Sequence, residues 1–132
     1  MRKKILVVDD DADLVELLSF NLKQAGYLIG TASNGVDALK KARALEPNLI
    51  VLDVMMPELD GFAVCEILRR DPTTSSIPIM MLTALSSELG RVAGLGSGAT
   101  DFVTKPFSPR LLVQRIEELL QKAAGVEQTA AS

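Results

Sequence analysis

The chain contains no histidine and a single cysteine, Cys65. Without histidine it has no Ser-His-Asp triad, no imidazole general base and no histidine ligand for zinc. One cysteine excludes an internal disulfide bond. Any chemistry that this chain performs must therefore use carboxylates, hydroxyls, lysine or arginine.

Long apolar runs and a large net charge are also absent. The net charge is -3, from 14 Lys and Arg against 17 Asp and Glu, so attraction to nucleic acid or to an anionic membrane is not expected. No apolar stretch approaches the roughly 18 residues that span a bilayer. The first apolar run stops at Asp9, too early for the core of a signal peptide. We therefore expect a soluble cytoplasmic protein that binds neither DNA nor membrane.

The composition favours one folded domain. The chain has 132 residues, of which 48% are hydrophobic, enough for one compact core and too few for two ordinary domains. We assign residues 1–123 to this domain. Residues 124–132 are small and polar without periodicity, and they are expected to form a flexible tail or a truncated linker.

Short strand-like runs alternate five times with segments of helical periodicity. This alternation predicts an α/β fold, with a doubly wound, five-stranded parallel sheet covered by helices on both faces. The helix expected over residues 86–95 has the weakest propensity, because glycines weaken its end. The last helix is expected to run from about residue 109 to about residue 123. The predicted strands are residues 5–8, 27–32, 49–52, 79–82 and 102–104.

Polar side chains stand where four of these strands end. Asp9 and Asp10 follow the first strand, Asp53 the third, Thr83 the fourth and Lys105 the fifth. Right-handed crossovers place the carboxyl ends of parallel strands at one edge of the sheet, where ligands bind. The sequence therefore predicts a shallow cleft that holds three carboxylates, a hydroxyl and an amine.

This set of groups suits the transfer of a phosphoryl group. Three carboxylates so close repel one another unless a cation neutralises them, and Mg²⁺ takes one or two carboxylates together with phosphate oxygens. The metal and Lys105 would offset the charge of a phosphoryl group, while Thr83 would bind one of its oxygens. We predict that Asp53 is the nucleophile that attacks phosphorus.

Each residue also has a simpler structural explanation. The aspartates at residues 9–11 suit a helix N-terminus, Thr83 suits a helix cap, and Asp53 and Lys105 suit loops or turns. These explanations are adequate one by one. They do not explain why all these residue types fall at strand ends on one edge of the sheet.

Five motifs follow one another in order: VVDDD at residues 7–11, LDVMMP at 52–57, GF at 61–62, LTA at 82–84 and GATDFVTKPF at 98–107. Together they resemble the receiver domain of two-component response regulators, over about residues 3–122. The resemblance implies a flavodoxin-like (βα)5 fold with strand order 2-1-3-4-5. It also implies transfer of a phosphoryl group to Asp53 from a phosphohistidine of a sensor histidine kinase or phosphotransfer protein.

The resemblance further implies how the metal and the phosphoryl group are held. Asp10, Asp53 and the backbone carbonyl of Met55 would ligate Mg²⁺, with Asp9 acting largely through water. Lys105 would pair with the phosphoryl group, and its peptide bond to the following proline is expected to be cis.

In such a domain, phosphorylation changes a surface. The resemblance implies that Thr83 moves towards the phosphoryl oxygens and that Phe102 turns inward. The affected face would comprise the helix over residues 86–95, the fifth strand and the last helix, and it would signal to a downstream protein or to a missing effector domain. The resemblance thus implies a signalling switch rather than an enzyme. Its self-dephosphorylation is expected to be slow, because Met55 and Leu85 flank the approach of water and cannot orient it.

Two other functions are alternatives to phosphorylation of Asp53. A receiver-like scaffold that binds proteins without being phosphorylated would not require the intact acidic, hydroxyl and lysine positions. A flavodoxin-like electron carrier would need a phosphate-binding loop after the first strand, where the chain has Asp9 and Asp10, and aromatic residues around a flavin, whereas tryptophan is absent. No P-loop motif occurs in the sequence.

Overall fold

The computed structural model describes residues 2–84 and 96–131. The helix predicted over residues 86–95 and the side chain of Leu85 lie outside this part. None of the described helices combines the length and the apolar character that crossing a bilayer requires. In chain order, the described elements are β1 (Lys4–Val8), α1 (Ala12–Gln24), β2 (Leu28–Ala32), α2 (Gly35–Leu45), β3 (Leu49–Asp53), α3 (Gly61–Arg70), β4 (Ile79–Thr83), β5 (Asp101–Thr104) and α4 (Pro109–Ala131).

The strands form one parallel sheet in the order β2-β1-β3-β4-β5. The predicted fold and strand order are therefore confirmed. All strands are parallel, but successive strands are added to opposite sides of β1, so the order of strand addition reverses between β1 and β3. The carboxyl ends of these two neighbouring strands therefore border the crevice in which ligands of such folds bind. The last helix continues to Ala131, past the end near residue 123 that its apolar pattern indicates.

Alternate residues of the strands supply two cores, one on each face of the sheet. All five residues of β3 and all five of β4 are buried, as expected for central parallel strands. One core packs strand residues such as Leu52 and Met81 against α2 and α3. The other packs residues such as Val51 and Leu82 against α1 and α4. This packing fixes the strand ends that carry the polar residues.

Three helices begin with an aspartate or asparagine cap. The side chain of Asp11 accepts hydrogen bonds from the backbone of α1, that of Asn34 from α2 and that of Asp60 from α3. These caps satisfy backbone N–H groups that a helix leaves without partners at its start. The caps thus define the first residues of α1, α2 and α3.

Ile116 is fully buried and joins α4 to the core on its face of the sheet, whereas Leu111 on the same helix is 62% exposed. We expect Ile116→Ala to lower the free energy of unfolding by about 2–5 kcal/mol, because it leaves a cavity in a packed core. Leu111→Ala should change it by less than about 0.5 kcal/mol. Urea denaturation measures both. Equal losses in the two variants would contradict the packing described for α4.

Candidate functional site

Three carboxylates meet at the carboxyl edge of the sheet, as the sequence predicts. Asp53 ends β3, and Asp9 and Asp10 directly follow β1. An oxygen from each lies within 4.8 Å of the others. Asp9 and Asp53 are only 1% and 3% exposed, whereas Asp10 is exposed. The cluster therefore has a buried floor and one carboxylate that faces solvent.

Lys105 reaches across the end of β4 to two of these carboxylates. Its Nζ lies 3.2 Å from Asp9 Oδ2 and 3.2 Å from Asp53 Oδ1. Its backbone N–H donates to the carbonyl of Thr83 at 2.6 Å, which ties the residue to the end of β4. The peptide bond between Lys105 and Pro106 is cis, as expected. The structure thus brings together the lysine and the buried aspartates, although 96 residues separate Lys105 from Asp9.

The charges of this cluster shift two pKa values. Burial raises the pKa of Asp53, and the negative charge of Asp9 raises it further, although Lys105 and the backbone N–H of Met55 oppose the change. Burial by itself would lower the pKa of Lys105, but its hydrogen bonds and charge interactions with Asp53 and Asp9 raise the pKa above the ordinary value. One ammonium group therefore serves two buried carboxylates. This arrangement leaves uncompensated negative charge that a further cation would relieve.

Thr83 and Phe102 lie on β4 and β5, the two strands that follow β3 in the order of the sheet. Thr83 ends β4, one residue beyond the partner of Asp53 in the β3–β4 ladder, and it is fully buried. Phe102 pairs with Met81 and is 7% exposed, within the core that faces α2 and α3. The side chain of Phe102 is thus buried in this structure, and the movement that the resemblance implies stays a prediction.

Met55 contributes to the site through its backbone. Its N–H donates to the Asp53 carboxylate, while its side chain is 64% exposed. The resemblance implies that the carbonyl of this residue binds the metal, whereas the hydrogen bond of its N–H group was not predicted. No side-chain pattern signals such a bond, because the donor belongs to the backbone.

Gly61 allows α3 to begin directly against the acidic cluster. A Cβ atom at this position would lie 2.3 Å from the carbonyl oxygen of Asp53 and 2.9 Å from Cα of Val54. The N–H of Gly61 donates to the carbonyl of Val54 at 2.9 Å. Only glycine therefore fits here without displacing the backbone that carries Asp53.

Known proteins share both the sequence and the shape of this chain. A family model described as the response regulator receiver domain matches residues 5–117. The alkaline phosphatase synthesis transcriptional regulatory protein PhoP of Bacillus subtilis is 51% identical over 93% of this chain and 50% of its own length. The DNA-binding dual master transcriptional regulator RpaA of Synechocystis is 42% identical over 96% and 53%. The chain thus spans about half the length of these curated relatives.

Solved structures of single domains match along nearly their whole length. The chemotaxis response regulator CheY4 of Vibrio cholerae superposes with a TM-score of 0.85 at 34% identity, over 89% of this chain and 98% of that one. The receiver domain of the Francisella response regulator 1452 gives a TM-score of 0.86 at 34% identity, over 92% and 98%.

We expect Gly61→Ala to destabilise the fold by about 1–3 kcal/mol, because the new methyl group would clash with backbone atoms that cannot move without strain. Gly96→Ala is the matched control, since nothing lies within 4 Å of a Cβ atom there. Chemical denaturation of both variants measures the difference. If Gly61→Ala is as stable as Gly96→Ala, the close approach of α3 to Asp53 is wrong.

Proposed function

Because this chain belongs to the response regulator receiver domain family, a family in which phosphorylation of an aspartate is typical, we propose that it accepts a phosphoryl group on Asp53. The observation that carries this proposal is the position of Asp53. It is a buried carboxylate at the crevice of the sheet, 3.2 Å from Lys105 and grouped with Asp9 and Asp10. The other two aspartates flank it, as metal ligands would.

In the proposed reaction, a carboxylate oxygen of Asp53 forms a bond to phosphorus while the P–N bond of a donor phosphohistidine breaks. The leaving imidazole nitrogen keeps the electron pair of the broken bond. Lys105 favours the ionised form of Asp53 that this attack requires, and its ammonium group offsets the charge of the transferred phosphoryl group. The hydroxyl of Thr83, at the end of the neighbouring strand, binds a phosphoryl oxygen in the product.

The donor set fits one hard divalent cation. Carboxylate oxygens from Asp9, Asp10 and Asp53 lie within 4.8 Å of one another, close enough to share an ion, and carboxylates are the ligands that Mg²⁺ prefers in proteins. Asp10, Asp53 and the carbonyl of Met55 would hold Mg²⁺, and Asp9 would act through water. When bound, Mg²⁺ offsets negative charge on the phosphoryl oxygens.

The partners follow from the relatives. We propose a sensor histidine kinase or phosphotransfer protein as the donor, and a downstream protein or an effector domain as the recipient of the signal. Two relatives are transcriptional regulators about twice as long as the matched region. We propose residues 1–123 as the receiver and residues 124–132 as a tail or linker. Thr83 and Phe102 would pass the change to β5 and α4. We propose that dephosphorylation is slow, since Met55, two residues after Asp53, has an apolar side chain that cannot hold a water molecule by a hydrogen bond.

Incubation with acetyl phosphate and Mg²⁺ should add one phosphoryl group, and Asp53→Asn should abolish this adduct. Intact-mass spectrometry measures it. Asp13→Asn, an exposed change in the first turn of α1, should be labelled like the original chain. Labelling of Asp53→Asn at the original rate would exclude Asp53 as the acceptor, and an unlabelled original chain would favour the scaffold function.

Mg²⁺ should stabilise the fold, because it binds the native cluster and relieves repulsion among the aspartates. At about 100 times its dissociation constant, the gain is about 2.7 kcal/mol. Asp10→Asn should raise the metal-free melting temperature and shrink the shift caused by Mg²⁺. Asp13→Asn should keep the full shift. Equal Mg²⁺ shifts in the original chain and in Asp10→Asn would count against a shared carboxylate site.

A further inference from the structure

The strand β5 is short and lies at the edge of the sheet. It has four residues and pairs with β4, from Met80↔Asp101 to Thr83↔Thr104. A slip of one residue along this ladder would turn each side chain of β5 to the opposite face. It would also move Lys105, which directly follows the strand, away from the two carboxylates. So short a ladder needs anchoring beyond its own hydrogen bonds.

At the amino end of β5, Thr100 supplies part of this anchoring. Its N–H donates to the carbonyl of Ile79 at 2.8 Å, and its Oγ1 accepts from the N–H of Ile79 at 3.0 Å. Thr100 therefore closes a two-bond link to the first residue of β4. The same hydroxyl oxygen also accepts a hydrogen bond from Nη2 of Arg69 at 3.2 Å, which is the third hydrogen bond of Thr100.

Arg69, near the end of α3, ties this link to two further segments. Its Nε donates to the carbonyl of Gly98 at 2.8 Å. Its Nη1 donates to the carbonyls of Ile77 at 2.7 Å and Ser75 at 3.0 Å. One guanidinium group thus joins α3, the segment that enters β4 and the segment that enters β5.

The backbone of Gly98 packs closely against the side chain of Arg69. Gly98 has a φ of +104°, and a Cβ atom there would lie 2.7 Å from Cγ of Arg69. The planar guanidinium presents donors in several fixed directions, whereas lysine carries all of its donors on one nitrogen. Neither glutamine nor lysine can therefore replace the four bonds of Arg69.

We propose that Arg69 is a positioning residue for phosphorylation: by fixing the register of β5 against β4, it holds Lys105 against Asp53 and Asp9. This inference rests on the proposed function, because it acts through the role of Lys105. The amino end of β5 is fixed by Arg69 and Thr100. Its carboxyl end is fixed by the bond from Lys105 N–H to Thr83.

The test is a double-mutant cycle on the rate of Asp53 phosphorylation by phosphoramidate with Mg²⁺. Arg69→Gln should slow labelling by between about 10-fold and 100-fold, because a displaced catalytic group loses its alignment. In a Lys105→Gln background, the same substitution should slow labelling by less than about twofold. Arg70→Gln, at the exposed neighbouring position, should label at the original rate.

Two labelling results would overturn the inference. One is labelling of Arg69→Gln at the original rate, and the other is equal slowing in both backgrounds, which would indicate general destabilisation. If the original chain is not labelled on Asp53, the proposed function fails instead and the inference falls with it.

Amide hydrogen exchange gives a second readout that does not depend on activity. In Arg69→Gln, exchange at the N–H of Lys105 should become faster, while exchange at the N–H of Val54, which donates to Leu82 between β3 and β4, should not change. Arg69→Lys is the milder variant if Arg69→Gln fails to fold. Unchanged exchange at Lys105 in a folded variant contradicts the inference.

Discussion

Two buried carboxylates, those of Asp9 and Asp53, share one ammonium group, that of Lys105, at distances of 3.2 Å each. A buried charge is costly unless it is paired, so this triad requires three strands to end at one place. With Asp10 beside it, the cluster keeps more negative charge than Lys105 can balance. That excess suits the site to a divalent cation, which would also offset the negative charge of a phosphoryl group.

The rest of the structure serves to hold these groups in place. Packing on both faces makes β3 and β4 rigid, and Asp53 and Thr83 stand at their ends. Gly61 lets α3 lie against the backbone of Asp53. Lys105 follows β5, a four-residue strand at the edge of the sheet. The hydrogen bonds made by Arg69 compensate for the short ladder between β5 and β4. Positioning thus comes from backbone contacts around the site as much as from the charged side chains.

Much of this could be predicted from the sequence. The alternation of apolar runs indicated a parallel sheet, and parallel strands place their carboxyl ends together, so the meeting of Asp9, Asp53 and Lys105 followed from topology. The N–H bond of Met55 and the four bonds of Arg69 could not be predicted. The Met55 bond and three of the Arg69 bonds depend on backbone groups, which every residue carries and no sequence pattern marks. The end of α4 was also misjudged, because residues 124–131 lack the apolar period that indicates a helix packed on a core.

The central claim is that Asp53 is the residue that carries the phosphoryl group. An acyl phosphate is reduced by borohydride, which converts a phosphorylated aspartate to homoserine. After treatment with phosphoramidate and Mg²⁺ and then with borohydride, peptide mass mapping should find homoserine at position 53 and aspartate at positions 9 and 10. Homoserine at either of those positions, or at none of the three, would contradict the claim.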